Sequence, residues 1–103
     1  MEILSLSNVR KTIESLDKST RGKVLRIVDL LETREHHLGM PYSKMIDKGL
    51  YELRVQGAHN IRIFYSFQKD RIVLLHIISK KSQRISKNDL ETAKQRMRLL
   101  QEI

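Results

Sequence analysis

Apolar residues recur with two different periods along this chain, and Pro41 separates the two textures. Before it, Val9, Ile13 and Leu16 fall at i, i+4 and i+7, the stripe of a short helix, with Ser7 or Asn8 available to cap its start. Ser19-Thr20-Arg21-Gly22 interrupts that pattern. Val24, Ile27, Val28 and Leu31 then lie at i, i+3, i+4 and i+7, and Leu25 and Leu30 widen the stripe, so the second helix is expected to be covered on more than one side. A connection of about four residues makes the pair an antiparallel helical hairpin. Gly39 followed by Pro41 is a helix stop signal.

After Pro41 the period shortens to two. Leu50 to Val55 alternates and is rich in strand formers, and so is Ile61 to Phe67. Gln56 to Asn60 and Gln68 to Arg71 read as turns. Ile72 to Ile78 is a third strand, apolar on both faces, which predicts an inner position with cover on each side. Short connections make these three an antiparallel meander. Leu90, Ala93, Met97 and Leu100 then mark a closing helix, and Ser86 with Asp89 three residues on reads as its capping box. Glu2-Ile3-Leu4 has the texture of a short edge strand. The fold class is α+β: an N-terminal helical hairpin packed on a small antiparallel β-sheet, with a C-terminal helix. Its 103 residues fit one domain, residues 1–103, without linker or repeat.

Charge changes the picture more than composition does. Lys and Arg number 20 against 12 Asp and Glu, a formal charge of +8, and such an excess favours a polyanionic partner. Aromatic residues are few, so aliphatic side chains must fill the core. The chain has no cysteine, which excludes disulfides, thiolate catalysis and Cys-ligated zinc. No segment approaches the ~20 apolar residues a spanning helix needs, and Met1 to Leu6 lacks the features of an export signal. A cytoplasmic location and no membrane partner are expected.

Strand alternation places Glu52 and Arg54 on one face, opposite Tyr51, Leu53 and Val55, and places Arg62 opposite Ile61, Ile63 and Tyr65. With the apolar sides toward the hairpin, Arg54 and Arg62 project from the other side of the sheet. Two forked donors on neighbouring strands make a phosphate clamp, provided neither is taken up by a carboxylate. From Lys80 to Arg98 seven basic residues face two acids, a net of +5. Lys80, Lys81 and Arg84 follow the apolar strand into a loop and read as site residues. Lys87, Lys94, Arg96 and Arg98 read as a basic helix face that binds phosphates. His36 and His37 belong near a helix end, and His76, inside the apolar strand, reads as a core histidine with satisfied hydrogen bonds. No metal-ligand spacing, glycine-rich phosphate loop or nucleophilic triad is present, so chemistry without metal or cofactor is expected.

The series Gly49-Leu50-Tyr51-Glu52-Leu53-Arg54, Arg62-Ile63-Phe64-Tyr65, Ile72-Val73-Leu74-Leu75-His76 and Lys80-Lys81-Ser82-Gln83, closed by a helix with Ala93 and Arg96, resembles the RelE/ParE toxin superfamily. It is most similar to the HigB-like, phage-derived branch, over residues 24–98 in order and spacing. The chain departs from that branch at Ile78, where Phe is usual, at Ser86, where Pro is common, and in a reduced N-terminal strand. The resemblance implies a RelE-like fold and a type II toxin that inhibits translation as a ribosome-dependent, metal-independent mRNA endoribonuclease. It implies Arg54 and Arg62 on the scissile phosphate, with Lys80, Lys81 and Arg84 adding cations. Ribosome, mRNA and a helix-turn-helix, HigA-like antitoxin are the implied partners. The ParE branch of the same fold, which poisons DNA gyrase, and a non-catalytic nucleic-acid binder or degenerate toxin are the alternatives.

Overall fold

The computed structural model describes residues 1–80 and 84–101, without the side chain of Lys80. The chain runs β1 (Glu2–Ser5), α1 (Ser7–Ser15), α2 (Lys18–Arg34), a 3-10 turn (Glu35–His37), β2 (Ser43–Asp47), β3 (Leu50–Val55), β4 (Asn60–Gln68), β5 (Arg71–Lys80) and α3 (Lys87–Gln101). The five strands form one sheet in the order β1-β5-β4-β3-β2. The meander is present, and β1 adds an edge strand that pairs parallel to β5, so the sheet is mixed rather than antiparallel throughout.

The strand β2 is the element that hydrophobic patterning does not announce. It pairs antiparallel with β3 at the other sheet edge and joins it through Lys48-Gly49, where Gly49 takes a φ of 73° that disfavours a side chain. The break between the first two helices also shifts. Asp17 caps α2 by accepting from the Thr20 N–H at 3.1 Å, so Ser19 to Gly22 is the first part of a helix and not a linker. Neither Ser7 nor Asn8 caps α1: Leu6 occupies that position and makes no side-chain bond. At the last helix the expected cap holds, with Ser86 Oγ accepting from the Asp89 N–H at 3.1 Å.

Apolar side chains divide between the two faces of the sheet. Val9, Ile13, Val24, Ile27 and Leu31 from α1 and α2 meet Leu53, Val55, Ile61, Ile63 and Ile72 on one side. On the other, Ala93 and Met97 of α3 meet Leu50, Phe64, Val73 and Leu75. Apart from Ala93, each of these side chains contributes roughly 1.5–3 kcal/mol when fully buried. Cover on both faces is what the doubly apolar β5 foreshadows. Leu25, expected inside, is instead half exposed on the outer side of α2.

A register slip in β4–β5 decides what α3 touches. Phe64 pairs with His76 and Tyr65 with Leu74, which leaves Leu75 as an extra residue. Leu75 packs beside Phe64 and Met97, and His76 stacks on the Phe64 ring with centroids 5.8 Å apart. Both therefore serve the α3 side, a result strict alternation would forbid.

Candidate nucleic-acid interface

Arg54 and Arg62 are cross-strand partners in the β3–β4 ladder and project to the same face, as alternation requires. They do not form an open clamp. Arg54 Nε and Arg62 Nη1 both donate to Glu52 Oε1, each at 2.6 Å. The Glu52 side chain is 2% exposed and that of Arg62 8%, against 20% for Arg54. A guanidinium that is buried and bonded to a carboxylate is withdrawn from solvent-borne phosphate, so the expected pairing of Arg62 with a scissile phosphate is corrected here. Glu52 is equally out of reach as a base. What the arrangement offers is one half-buried cation, Arg54, whose guanidinium is oriented from below. Two guanidiniums and one carboxylate leave the cluster with an excess positive charge. Arg54 Nη1 also reaches Met40 Sδ at 3.9 Å.

The remaining cations divide sharply. Lys80 ends β5 opposite Asn60 and is still part of the strand, not of the loop after it. Lys81 lies outside the described residues. Arg84 and Lys87 are exposed, Arg84 with an interaction of its own. Lys94 is not free on a basic helix face: its Nζ lies 2.7 Å from Asp47 Oδ2 and 3.9 Å from Glu91 Oε1, which ties α3 to β2. That hydrogen bond holds the Asp47 carboxyl below the usual carboxylate range and the Lys94 ammonium above the usual lysine range.

Arg96 is corrected more fully, because it turns inward. Its Nη1 donates to the Leu75 carbonyl at 2.8 Å and to His76 Nδ1 at 3.1 Å. A guanidinium only donates, so Nδ1 must accept and the Nε2–H donates to Asp89 Oδ1 at 2.8 Å. His76 is thus satisfied on both ring nitrogens, as a core histidine should be, and has no lone pair left for a 2′-hydroxyl. Arg98 remains exposed and available.

Cations that patterning did not single out gather on the opposite side of β3. Lys23 and Arg26, one turn apart on α2, line a cleft of about 130 Å³ with Tyr42, Arg54 and Gln56. A Cβ on Gly57 would lie 2.7 Å from Lys23 Nζ, so the lysine packs across the bare turn between β3 and β4. The signal was present as basic residues beside the apolar stripe of α2. Its significance depends on where the turn before β2 falls, which no local pattern gives. Among the described residues no cluster of His, Asp and Glu suited to a metal ion is found, and no helix is long and apolar enough to cross a membrane.

A five-stranded mixed sheet with a helical hairpin on one face, a single helix on the other and an excess of cations defines a small, basic α+β protein. The chain belongs to the phage-derived Gp49-like family (DUF891), which matches residues 11–98 and is a RelE- and toxin-like group. No curated protein matches the chain.

Proposed function

We propose that the protein is the toxin of a type II toxin–antitoxin pair and that it stops translation by cutting mRNA on the ribosome, with Arg54 on the phosphate that is cut. The reading is narrower than a two-arginine clamp. The observation that carries it is Arg54 itself: a guanidinium oriented by the buried Glu52 and one-fifth exposed, in a residue that borders the cleft of Lys23 and Arg26. A cation fixed in advance stabilises developing negative charge without reorganising when the reaction occurs. Membership of a toxin-like family and the charge of +8 support the same reading.

In the reaction the ribose 2′-oxygen bonds to phosphorus while the bond to the 5′-oxygen breaks. A base takes the 2′ proton and the leaving oxygen receives one, giving a 2′,3′-cyclic phosphate and a 5′-hydroxyl. Arg54 lowers the cost of charge on the phosphorane. Lys80, Lys81 and Arg84, at and beyond the end of β5, add cations to the RNA path, and Lys87 and Arg98 extend it along α3. The antitoxin that fits is a helix-turn-helix, HigA-like protein presenting carboxylates to this basic surface.

A second reading, binding of nucleic acid without cleavage, is favoured by one specific observation: Glu52 neutralises half of the expected clamp. Induction in growing cells separates the readings. Loss of amino-acid incorporation within minutes, with chromosomal DNA intact, is expected. Continued translation with accumulating DNA breaks would instead assign the chain to gyrase poisoning, and growth without either effect would leave binding alone.

A further inference from the structure

Tyr42 stands where two clefts meet. The cleft of Lys23 and Arg26 continues into a second of about 550 Å³, lined by Arg26, Leu30, Thr33, Arg34 and Tyr42. Arg26, Ile27 and Tyr42 belong to both, so the two are one groove along α2, with a buried isoleucine under its middle. The tyrosine is 36% exposed, and among the described residues its ring stacks on no other ring. Its backbone is fixed nonetheless. The Tyr42 N–H donates to the Gly39 carbonyl at 3.0 Å, and the Tyr42 carbonyl accepts from the Arg54 N–H at 2.7 Å. The groove is therefore an aromatic face on a rigid turn, with Lys23, Arg26, Arg34 and Arg54 around it. Asp29 is the one carboxylate among the lining residues, and Glu52, outside them, holds the Arg54 guanidinium.

We propose that this groove is a subsite for single-stranded RNA, in which the Tyr42 ring stacks one unpaired base and Lys23 and Arg26 hold the phosphates that flank it. The proposal rests on the reading that RNA is the target and names where RNA is held beside Arg54. An exposed aromatic ring with cations on both sides is the combination that binds an unpaired strand, since every base offers a π-face and the backbone repeats its charge. A duplex keeps its base faces stacked inside and has nothing to lay on the ring. Leu25, half exposed on the same helix but absent from the groove, provides the control position.

The test is the affinity of the full chain for a short labelled oligoadenylate and for the same strand in a duplex. Tyr42→Leu should weaken single-strand binding about tenfold and leave duplex binding unchanged, while Tyr42→Phe should restore it. Replacing Lys23 and Arg26 together by Ala should flatten the plot of log affinity against log salt by about 1.4, for two phosphates on a single strand. Leu25→Ala should change neither. The subsite is overturned if Tyr42→Leu binds as the parent does, if Leu25→Ala loses as much, or if the duplex binds as tightly as the strand. Should induction leave translation untouched while these losses are measured, the nuclease reading fails and the subsite stands. Translation arrest with unaltered affinities removes the subsite alone.

Discussion

Arg54 and Arg62 face one another across the β3–β4 ladder and donate to the same oxygen of Glu52, so that one carboxylate orients two guanidiniums at once. Their burial separates their roles. Arg62 and Glu52 form the floor, and Arg54 is the member that solvent reaches.

Removing the shared carboxylate should be the costliest change in the cluster. Glu52→Gln leaves a buried and a half-buried cation without their counter-charge, and breaking such a pair costs about 3–5 kcal/mol. Arg62→Met leaves Glu52 still neutralised by Arg54 and should cost about 1.5 kcal/mol, the worth of one charged hydrogen bond. Urea unfolding of the two variants gives the comparison. A larger loss for Arg62→Met would contradict the assignment of Glu52 as the centre of the cluster.

The bond between Asp47 and Lys94 makes part of the docking of α3 depend on pH. The Asp47 pKa is depressed, so its contribution is present above the ordinary carboxylate value of about 4 and is lost as pH falls through the lower folded value. The Lys94 pKa is raised, so its contribution is complete below the ordinary lysine value and is lost as pH rises through the higher folded one. Midpoint temperatures of the parent and of Asp47→Asn should therefore differ at neutral pH and converge in acid. Curves that stay parallel down to pH 2 would show that the bond carries no stability.

Arg96 and Arg98 lie two positions apart on α3 and should behave oppositely. Arg96→Met removes donors to the Leu75 carbonyl and to His76 and should cost about 2 kcal/mol of stability. Arg98→Ala, at an exposed position, should leave stability within about 0.5 kcal/mol while reducing the salt dependence of RNA binding. Amide exchange in α3 and salt titration separate the two. Equal loss of stability in both variants would return Arg96 to the surface.

Elements that bury a full stripe were legible in the sequence: α2, α3 and the three strands of the meander announce themselves because their periodicity is long and their cover complete. The short strand β2 was not, since a half-exposed edge strand of Ser43, Lys44, Met45, Ile46 and Asp47 needs little apolar content to pair with β3. Alternation placed Glu52 beside Arg54 and both arginines on one face. It could not show that one carboxylate reaches both, because that depends on the cross-strand register of Arg54 with Arg62. Arg96 looked like surface charge for a similar reason: its partners lie about twenty residues earlier in the chain, beside a bulge at Leu75 that no local pattern encodes. The groove at Tyr42 likewise joins a helix and a turn that meet only in the folded protein.

The role given to Arg54 is tested most directly by mapping transcript 5′ ends after brief induction of the parent chain and of Arg54→Ala, the variant first shown to fold by its unfolding curve. New 5′-hydroxyl ends inside translated regions are expected with the parent and should be lost, or fall at least a hundredfold, with Arg54→Ala. Equal cleavage by both proteins, or no cleavage by the parent while cells stop growing, would contradict it.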